Sequence, residues 1–275
     1  MTLITSPDNP RISKLQRLHT TRGRKKSGFF LIEGPLLLEA LLDAHIVPHE
    51  VYYQPELLRR TAKGQLLLDR LPQELADSQL IAISEQVLTA ISDVQTAQGV
   101  VSVLPLTAFQ AELVQARRTT AERPALLILD NLADPGNMGT ILRTALAADV
   151  AMVLLTPDCV DCFNPKVVRA AAGAHLALPI ATDVAWTTIA ERVMAHSPSK
   201  ILLAEANSPL MYFAENLSQP FTLIIGNEAH GPSPDARALA TQTITIPLAN
   251  RVESLNAAMA TGIILYEAVR QRYAK

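Results

Sequence analysis

LLILDNLADPGNMGTILR, running from Leu126 to Arg143, decides the architecture. The apolar β-formers Leu126–Leu129, ending in Asp130, are expected to form a central parallel strand buried on both faces. Turn-forming residues crowd the next eight positions and place backbone N–H groups and Asn137 at the carboxyl end of that strand. A helix over Met138–Ala148 follows, starting in earnest on Gly139-Thr140, with Arg143 one turn in. Ligands of open α/β sheets bind at such strand ends. A guanidinium fork and an amide over the crevice suit a phosphorylated or nucleic-acid substrate.

The same rhythm continues on both sides of this stretch. Further strands are expected at Ala151–Leu155, Leu176–Ile180, Lys200–Leu203, Phe221–Ile225 and Thr243–Ile246. Helices are expected at Pro165–Ala172, Ala185–Ala195, Ser233–Leu239 and from Leu255 onward. Residues 105–124 are polar and read as a linker, with a helix over Phe109–Arg118. Residues 1–104 give a smaller α/β module: a basic helix (Pro10–His19), strands at Phe29–Ile32, Glu50–Tyr53, Gln79–Ile83 and Gly99–Val103, and helices at Leu36–Ala44, Glu56–Asp69 and Ser84–Ile91. The expected class is therefore α/β, with a small domain over 1–104, a linker over 105–124 and a parallel-sheet domain over 125–275.

Hydrophobic residues make up 49% of the 275 and charged residues 18%, within the range of globular domains. No stretch approaches the ~20 apolar residues of a membrane span. The opening MTLITSPDNPRIS lacks the layout of a secretory signal, so a cytoplasmic protein is expected. The formal net charge of −2 excludes a general basic coat for nucleic acid. Distribution says more. Arg11, Lys14, Arg17, Arg22, Arg24, Lys25 and Lys26 crowd the first 30 residues, where Asp8 is the only acid. Gly23 and Gly28 flank Arg24-Lys25-Lys26, which reads as a flexible basic loop. Cys159-Val160-Asp161-Cys162 has no second pair and no histidine cluster to complete a zinc site, so incidental thiols are expected and no metal site.

Three patches lie at strand ends. The first is Asp130–Thr140 with Arg143. The second is IIGNEAHG, Ile224–Gly231, where a buried strand breaks at Gly226, so that the backbone can approach a ligand closely or take φ > 0. The third is IPLANRVESLN, Ile246–Asn256, in which Ser254 is expected to cap the last helix. A Gly-x-Gly-x-x-Gly loop, a Walker loop, a Gly-x-Ser-x-Gly elbow and a metal-binding histidine pair are all missing from the sequence. That removes most common α/β enzyme classes.

In order and spacing, the three patches resemble the signature motifs of the SpoU (TrmH) family of RNA ribose 2′-O-methyltransferases, within the SPOUT superfamily. The segment with Ser6, Asn9 and Gly28–Gly34 resembles that family's small substrate-binding domain. The resemblance implies a parallel sheet ending in a deep trefoil knot, and S-adenosylmethionine held in the knot by Gly226, Ile246 and Leu255. It implies that Arg143 acts on the ribose 2′-OH, with Asn137, Ser254 and Asn256 holding Arg143, the ribose or the loop. Glu228 matches the motif-two acid, with a structural hydrogen-bonding role expected rather than that of a base. No metal is implied.

A homodimer with active sites at the subunit interface is also implied, with Leu255, Ala258, Met259, Ile263 and Leu265 as candidate interface residues. Asn250 stands where the family often has Gly, and Asn can also adopt left-handed backbone. Ala171 stands where many relatives have Ser. The added N-terminal domain points to RNA bound through Arg11, Arg22, Arg24, Lys25 and Lys26. The implied substrate is 23S rRNA, with tRNA as the alternative. A non-catalytic RNA-binding or ribosome-assembly protein of the same fold is the rival reading.

Overall fold

The computed structural model describes residues 3–94, 96–116, 125–196, 200–250 and 252–274. The last eight residues of the expected linker, 117–124, lie outside them, and with them the end of the expected helix Phe109–Arg118. The chain divides into two compact units: Met1–Phe109 with Phe163–Leu176, and Gln110–Cys162 with Ala177–Lys275.

The elements of the first unit are β1 (Leu3–Ile4), α1 (Pro10–Arg17), α2 (Thr21–Ser27), β2 (Phe29–Glu33), α3 (Pro35–Asp43), β3 (Glu50–Tyr53), α4 (Pro55–Leu58), α5 (Ala62–Glu74), β4 (Leu80–Ile83), α6 (Glu85–Ile91) and β5 (Val100–Pro105). Its sheet order is β1-β4-β3-β5-β2, with β5 antiparallel to both neighbours. Strand alternation splits the core in two. Phe30, Ile32, Val51, Tyr53 and Val100 face Leu38, Leu41, Leu67 and Leu71 of α3 and α5. Leu31, Tyr52, Ile81 and Val101 face Ile12, Leu15, Val87 and Leu88 of α1 and α6.

The expected flexible basic loop is instead helix α2. Thr20 caps it, its side chain accepting from the Gly23 N–H at 3.1 Å. Gly23 is there for contact rather than for freedom: a Cβ would strike the Arg17 carbonyl where α2 crosses the end of α1. Gly28 then ends α2 at φ +77°. Gly23→Ala is expected to destabilise this unit by about 1–3 kcal/mol. An earlier urea midpoint would register that loss, and an unchanged one would mean that the hairpin relaxes freely.

The second unit holds α7 (Ala111–Ala116), β6 (Ala125–Leu129), α8 (Pro135–Ala147), β7 (Met152–Leu155), then, after the excursion of α9 (Pro165–Ala171) into the first unit, β8 (Ile180–Ala181), α10 (Trp186–His196), β9 (Ile201–Ala204), β10 (Phe221–Ile225), α11 (Pro234–Leu239), β11 (Gln242–Ile244) and α12 (Ala257–Tyr273). All six strands are parallel, in the order β11-β9-β10-β6-β7-β8. Every residue of β6 and β10 is buried, as the continuous apolar runs of central parallel strands require. The chain leaves β6 toward β7 and β8, whereas β9, β10 and β11 lie on its other side. The strand order therefore reverses between β6 and β10, and their exit loops part there.

α8 begins at Pro135, three residues before the expected start. Asp134 caps it by accepting from the Asn137 N–H at 2.7 Å, and Pro135 occupies the first helical position, where no N–H is missed. Arg143 therefore stands about two turns in, on the exposed side with Thr140. α12 packs along α8, and Arg272 Nη2 donates to the Ala148 carbonyl at 2.8 Å. Ile246, Leu248, Ser254 and Leu255, between β11 and α12, line one cleft with Ala204 and Ile225 at the carboxyl ends of β9 and β10. Thr245 N–H donates to the Leu210 carbonyl at 2.8 Å, and Gln271 ties α12 to the backbone at Glu215 and Leu217. Among the described residues no helix is long and apolar enough to cross a membrane.

Candidate active site

The reversal between β6 and β10 brings the first two motifs side by side. Asn137, on the first turn of α8, donates through Nδ2 to Glu228 Oε1 at 2.8 Å. Its Oδ1 accepts from Asn256 Nδ2 at 2.7 Å. Asn256 also caps α12, its Oδ1 accepting from the Ala258 and Met259 N–H groups. One residue from each motif thus joins a single chain, Asn256–Asn137–Glu228. Each amide is oriented by a donor on one side and an acceptor on the other. The expected cap, Ser254, is not the cap: α12 starts two residues later than expected, and Ser254 is an exposed residue on the cleft wall.

The motif-two loop is fixed from within. Asn227 Nδ2 donates to the Asn131 carbonyl at 2.7 Å, and its Oδ1 accepts from the N–H groups of Ala229 and His230. Buried Asp130 accepts the Ser233 N–H on Oδ2 at 2.7 Å, closing the loop onto β6. Within the turn so formed, a Cβ on Gly226 would lie 2.6 Å from the Pro232 nitrogen. The expected role of Gly226, close backbone approach, is realised first against its own loop.

A cleft of about 250 Å³ opens between the motif-two and motif-three loops. This is slightly below the ~300–1,000 Å³ of most small-ligand sites. Gly226, Ile246 and Leu255 all line it, as do Glu228 and Ser254; Asn137, Asn256 and Arg143 do not. Asn250, in the place of a family glycine, takes φ +56°, the left-handed conformation that the position demands. Among the described residues the exposed Arg143 side chain makes no side-chain hydrogen bond or ion pair, so its guanidinium is available to a partner from outside the chain.

The basic residues of the first unit divide. Arg11, Arg22, Lys25 and Lys26 are exposed. Arg24 is 1% exposed, and its guanidinium donates to the Leu18 carbonyl at 2.7 Å and to Thr21 Oγ1 at 3.1 Å. It fastens the α1–α2 hairpin and is not presented to a ligand, which corrects its expected place among the RNA contacts. Cys159 and Cys162 are free thiols. Burial pushes the Cys159 thiol upward, and its Sγ lies 3.1 Å from the Leu129 carbonyl.

Sequence reasoning passed over Asn227, although an Asn directly after a strand-ending Gly is a turn signal. It also passed over the hydrogen bond of Asp130, whose partner Ser233 lies 103 residues away, and over two charged cleft residues, Glu205 and Arg237.

Residues 124–266 match the SpoU rRNA methylase family, and residues 9–102 match an MRM3-like substrate-binding domain. A tRNA/rRNA methyltransferase of Synechocystis, described as uncharacterized, is 37% identical over 98% of this chain and 94% of its own length. A 23S rRNA guanosine 2′-O-methyltransferase of Bacillus subtilis is 29% identical, covering 97% of this chain and 98% of its own. The crystal structure of an AdoMet-bound rRNA methyltransferase from Sinorhizobium meliloti has a TM-score of 0.81 at 27% identity, over 98% of this chain and 97% of the other. With all three motifs gathered at one end of its parallel sheet, the chain belongs to the SpoU rRNA methylase family.

Proposed function

We propose that this protein transfers the methyl group of S-adenosylmethionine to a ribose 2′-OH of ribosomal RNA, with 23S rRNA the substrate. The observation that carries this reading is the convergence of Gly226, Ile246 and Leu255 on one cleft, with the Asn256–Asn137–Glu228 chain starting at its wall. The cleft fits the donor: apolar walls for its adenine are joined by Glu205, Asn227, Glu228, Arg237 and Ser254, which can meet its polar groups. Bound there, the donor supplies an electrophilic methyl group on a sulfonium. Residues 245–256 are read as closing the trefoil knot of the family.

The protein's own groups then have to align the 2′-OH and stabilise the charge that develops on its oxygen. A guanidinium is a very poor base, so Arg143 acts by binding the 2′-oxygen and the adjacent phosphate, and the hydroxyl proton passes to solvent water. Asn137 and Asn256 hold the first turns of α8 and α12 in register. Arg143 lies outside the cleft of its own chain, which a homodimer would resolve by presenting Arg143 of one copy to the cleft of the other. Met259, Ile263 and Tyr266 on α12 supply the apolar face for that dimer. Of the other candidates, Ala258 and Leu265 are core residues and Leu255 lines the cleft.

Residues 1–104 serve as the RNA-binding domain, its core completed by Phe163–Leu176, with 105–124 as a linker and the rest of 125–275 as the methyltransferase domain. Arg11, Arg22, Lys25 and Lys26 contact the RNA backbone, and the protein works in the cytoplasm. The test is to map 2′-O-methyl sites in rRNA and tRNA from a strain lacking the gene, with and without complementation. One 23S rRNA site should vanish and return. Loss of a tRNA site would move the substrate to tRNA. Donor binding by the purified protein with no transfer to any RNA would favour the non-catalytic reading.

A further inference from the structure

Two charged side chains in the cleft have no part in the Asn256–Asn137–Glu228 chain. Glu205 directly follows β9, and Arg237 stands on α11. Around them the cleft is apolar, walled by Ala204, Ile225, Ile244, Leu248 and Ile264. Arg237 Nη1 meets Glu205 Oε1 at 2.5 Å. The Arg237 guanidinium also passes Gly231, where a Cβ would lie 4.0 Å from Nη2. The Glu205 backbone is fixed by its N–H, which donates to the Ile244 carbonyl at 2.9 Å. Its carboxylate therefore sits at the carboxyl end of the strand beside β10, the strand that leads into Gly226.

Stability does not explain this pair. The side chains are 24% and 51% exposed, and ion pairs so wetted contribute little to folding. A carboxylate is an acceptor with two oxygens, and a ribose offers two vicinal O–H donors at matching spacing. In α/β sheets that bind nucleotides, an acid placed after a neighbouring strand accepts from the ribose hydroxyl.

We infer that Glu205 is a specificity-determining residue that accepts hydrogen bonds from the ribose hydroxyls of the methyl donor, with Arg237 as the positioning residue that keeps its carboxylate aimed. This rests on the reading of the cleft as the donor site. It assigns recognition of the donor's sugar to Glu205, in a cleft whose other polar side chains are Asn227, Glu228 and Ser254.

Titration calorimetry of the full-length protein with S-adenosylhomocysteine and with its 2′-deoxy analogue tests the assignment. The wild type should prefer the ribose form by about tenfold or more, because a site built around a hydroxyl rejects the analogue that lacks it. Glu205→Gln, which keeps the shape and loses the charge, should bind S-adenosylhomocysteine about tenfold more weakly and lose most of the preference. Arg237→Ala should weaken binding in the same direction, and Arg237→Lys should restore part of it. A Glu205→Gln protein with wild-type affinity and wild-type preference overturns the inference alone. A wild-type protein that binds both forms equally also overturns it. A wild-type protein that binds neither overturns it together with the donor-site reading.

Discussion

Arg143→Ala is expected to leave donor binding within about twofold of wild type and to reduce methyl transfer to rRNA by at least ~10²–10³-fold. Removing one preorganised donor aimed at developing negative charge has an effect of that size. The structure separates the two readouts. Arg143 is exposed on α8 and does not line the cleft of Gly226, Ile246 and Leu255, so its loss leaves those residues in place. The side chain has no partner among the described residues, so truncation breaks no internal hydrogen bond and should barely move the melting temperature. Transfer of tritium from labelled donor to RNA, set beside calorimetry of donor binding, measures both. Turnover near wild type would remove Arg143 from the mechanism. Arg143→Lys should recover little, because an ammonium cannot make the forked contact to a 2′-oxygen and its phosphate.

Gly226→Ala should do the reverse and abolish donor binding. Its new Cβ would sit 2.6 Å from the Pro232 nitrogen and 2.7 Å from the Pro232 Cα, both backbone or ring atoms with no rotamer to yield. Relief requires the 226–233 loop to open. That loop is held by the bond from the Ser233 N–H to Asp130 and by three hydrogen bonds of the Asn227 side chain. Opening it displaces the floor of the donor cleft and draws Glu228 away from Asn137. Overpacking of this kind costs about 1–3 kcal/mol, occasionally more. The fold should therefore survive, with circular dichroism near that of the wild type while calorimetry detects no donor binding. Retained donor affinity would show that the loop yields without disturbing the cleft.

The central strands were legible because burial on both faces demands continuous apolar runs, and Leu126–Leu129 and Phe221–Ile225 are such runs. Motif order singled out Gly226, Ile246 and Leu255, and the three line one cleft. Element ends were harder to read. Asp134-Pro135 is a strong helix start, an N-cap acid followed by proline at the first position, but Gly136 and Asn137 beside it mimic a continuing turn. Ser254 and Asn256 are nearly equal as caps on propensity alone. Tertiary context chose Asn256, whose Nδ2 reaches Asn137, 119 residues away in the chain.

Arg24 shows the same limit from the other side. A basic run carries no local sign that one of its members will turn inward, where the Leu18 carbonyl and the Thr21 hydroxyl accept hydrogen bonds from the Arg24 guanidinium. Gly23, read as a sign of freedom, is required by contact with the Arg17 carbonyl. Glu205 and Arg237 are 32 residues apart, and nothing in either stretch announces their pairing.

The segment Phe163–Leu176 falls, by position, inside the methylase stretch of the sequence, but its side chains complete the core of the first unit. Phe163 lies 4.8 Å from Phe30 between ring centroids, Val168 is buried among that unit's leucines, and Arg169 reaches Asp93 at 2.7 Å. The boundaries of the two matched families are therefore not the boundaries along which the molecule could be cut and recombined. A chimera that exchanged only the first hundred residues for another substrate-binding domain would keep a plug shaped for the core it had lost. Inheritance of a new RNA preference by domain shuffling would have to carry a fourteen-residue passenger from the middle of the catalytic half.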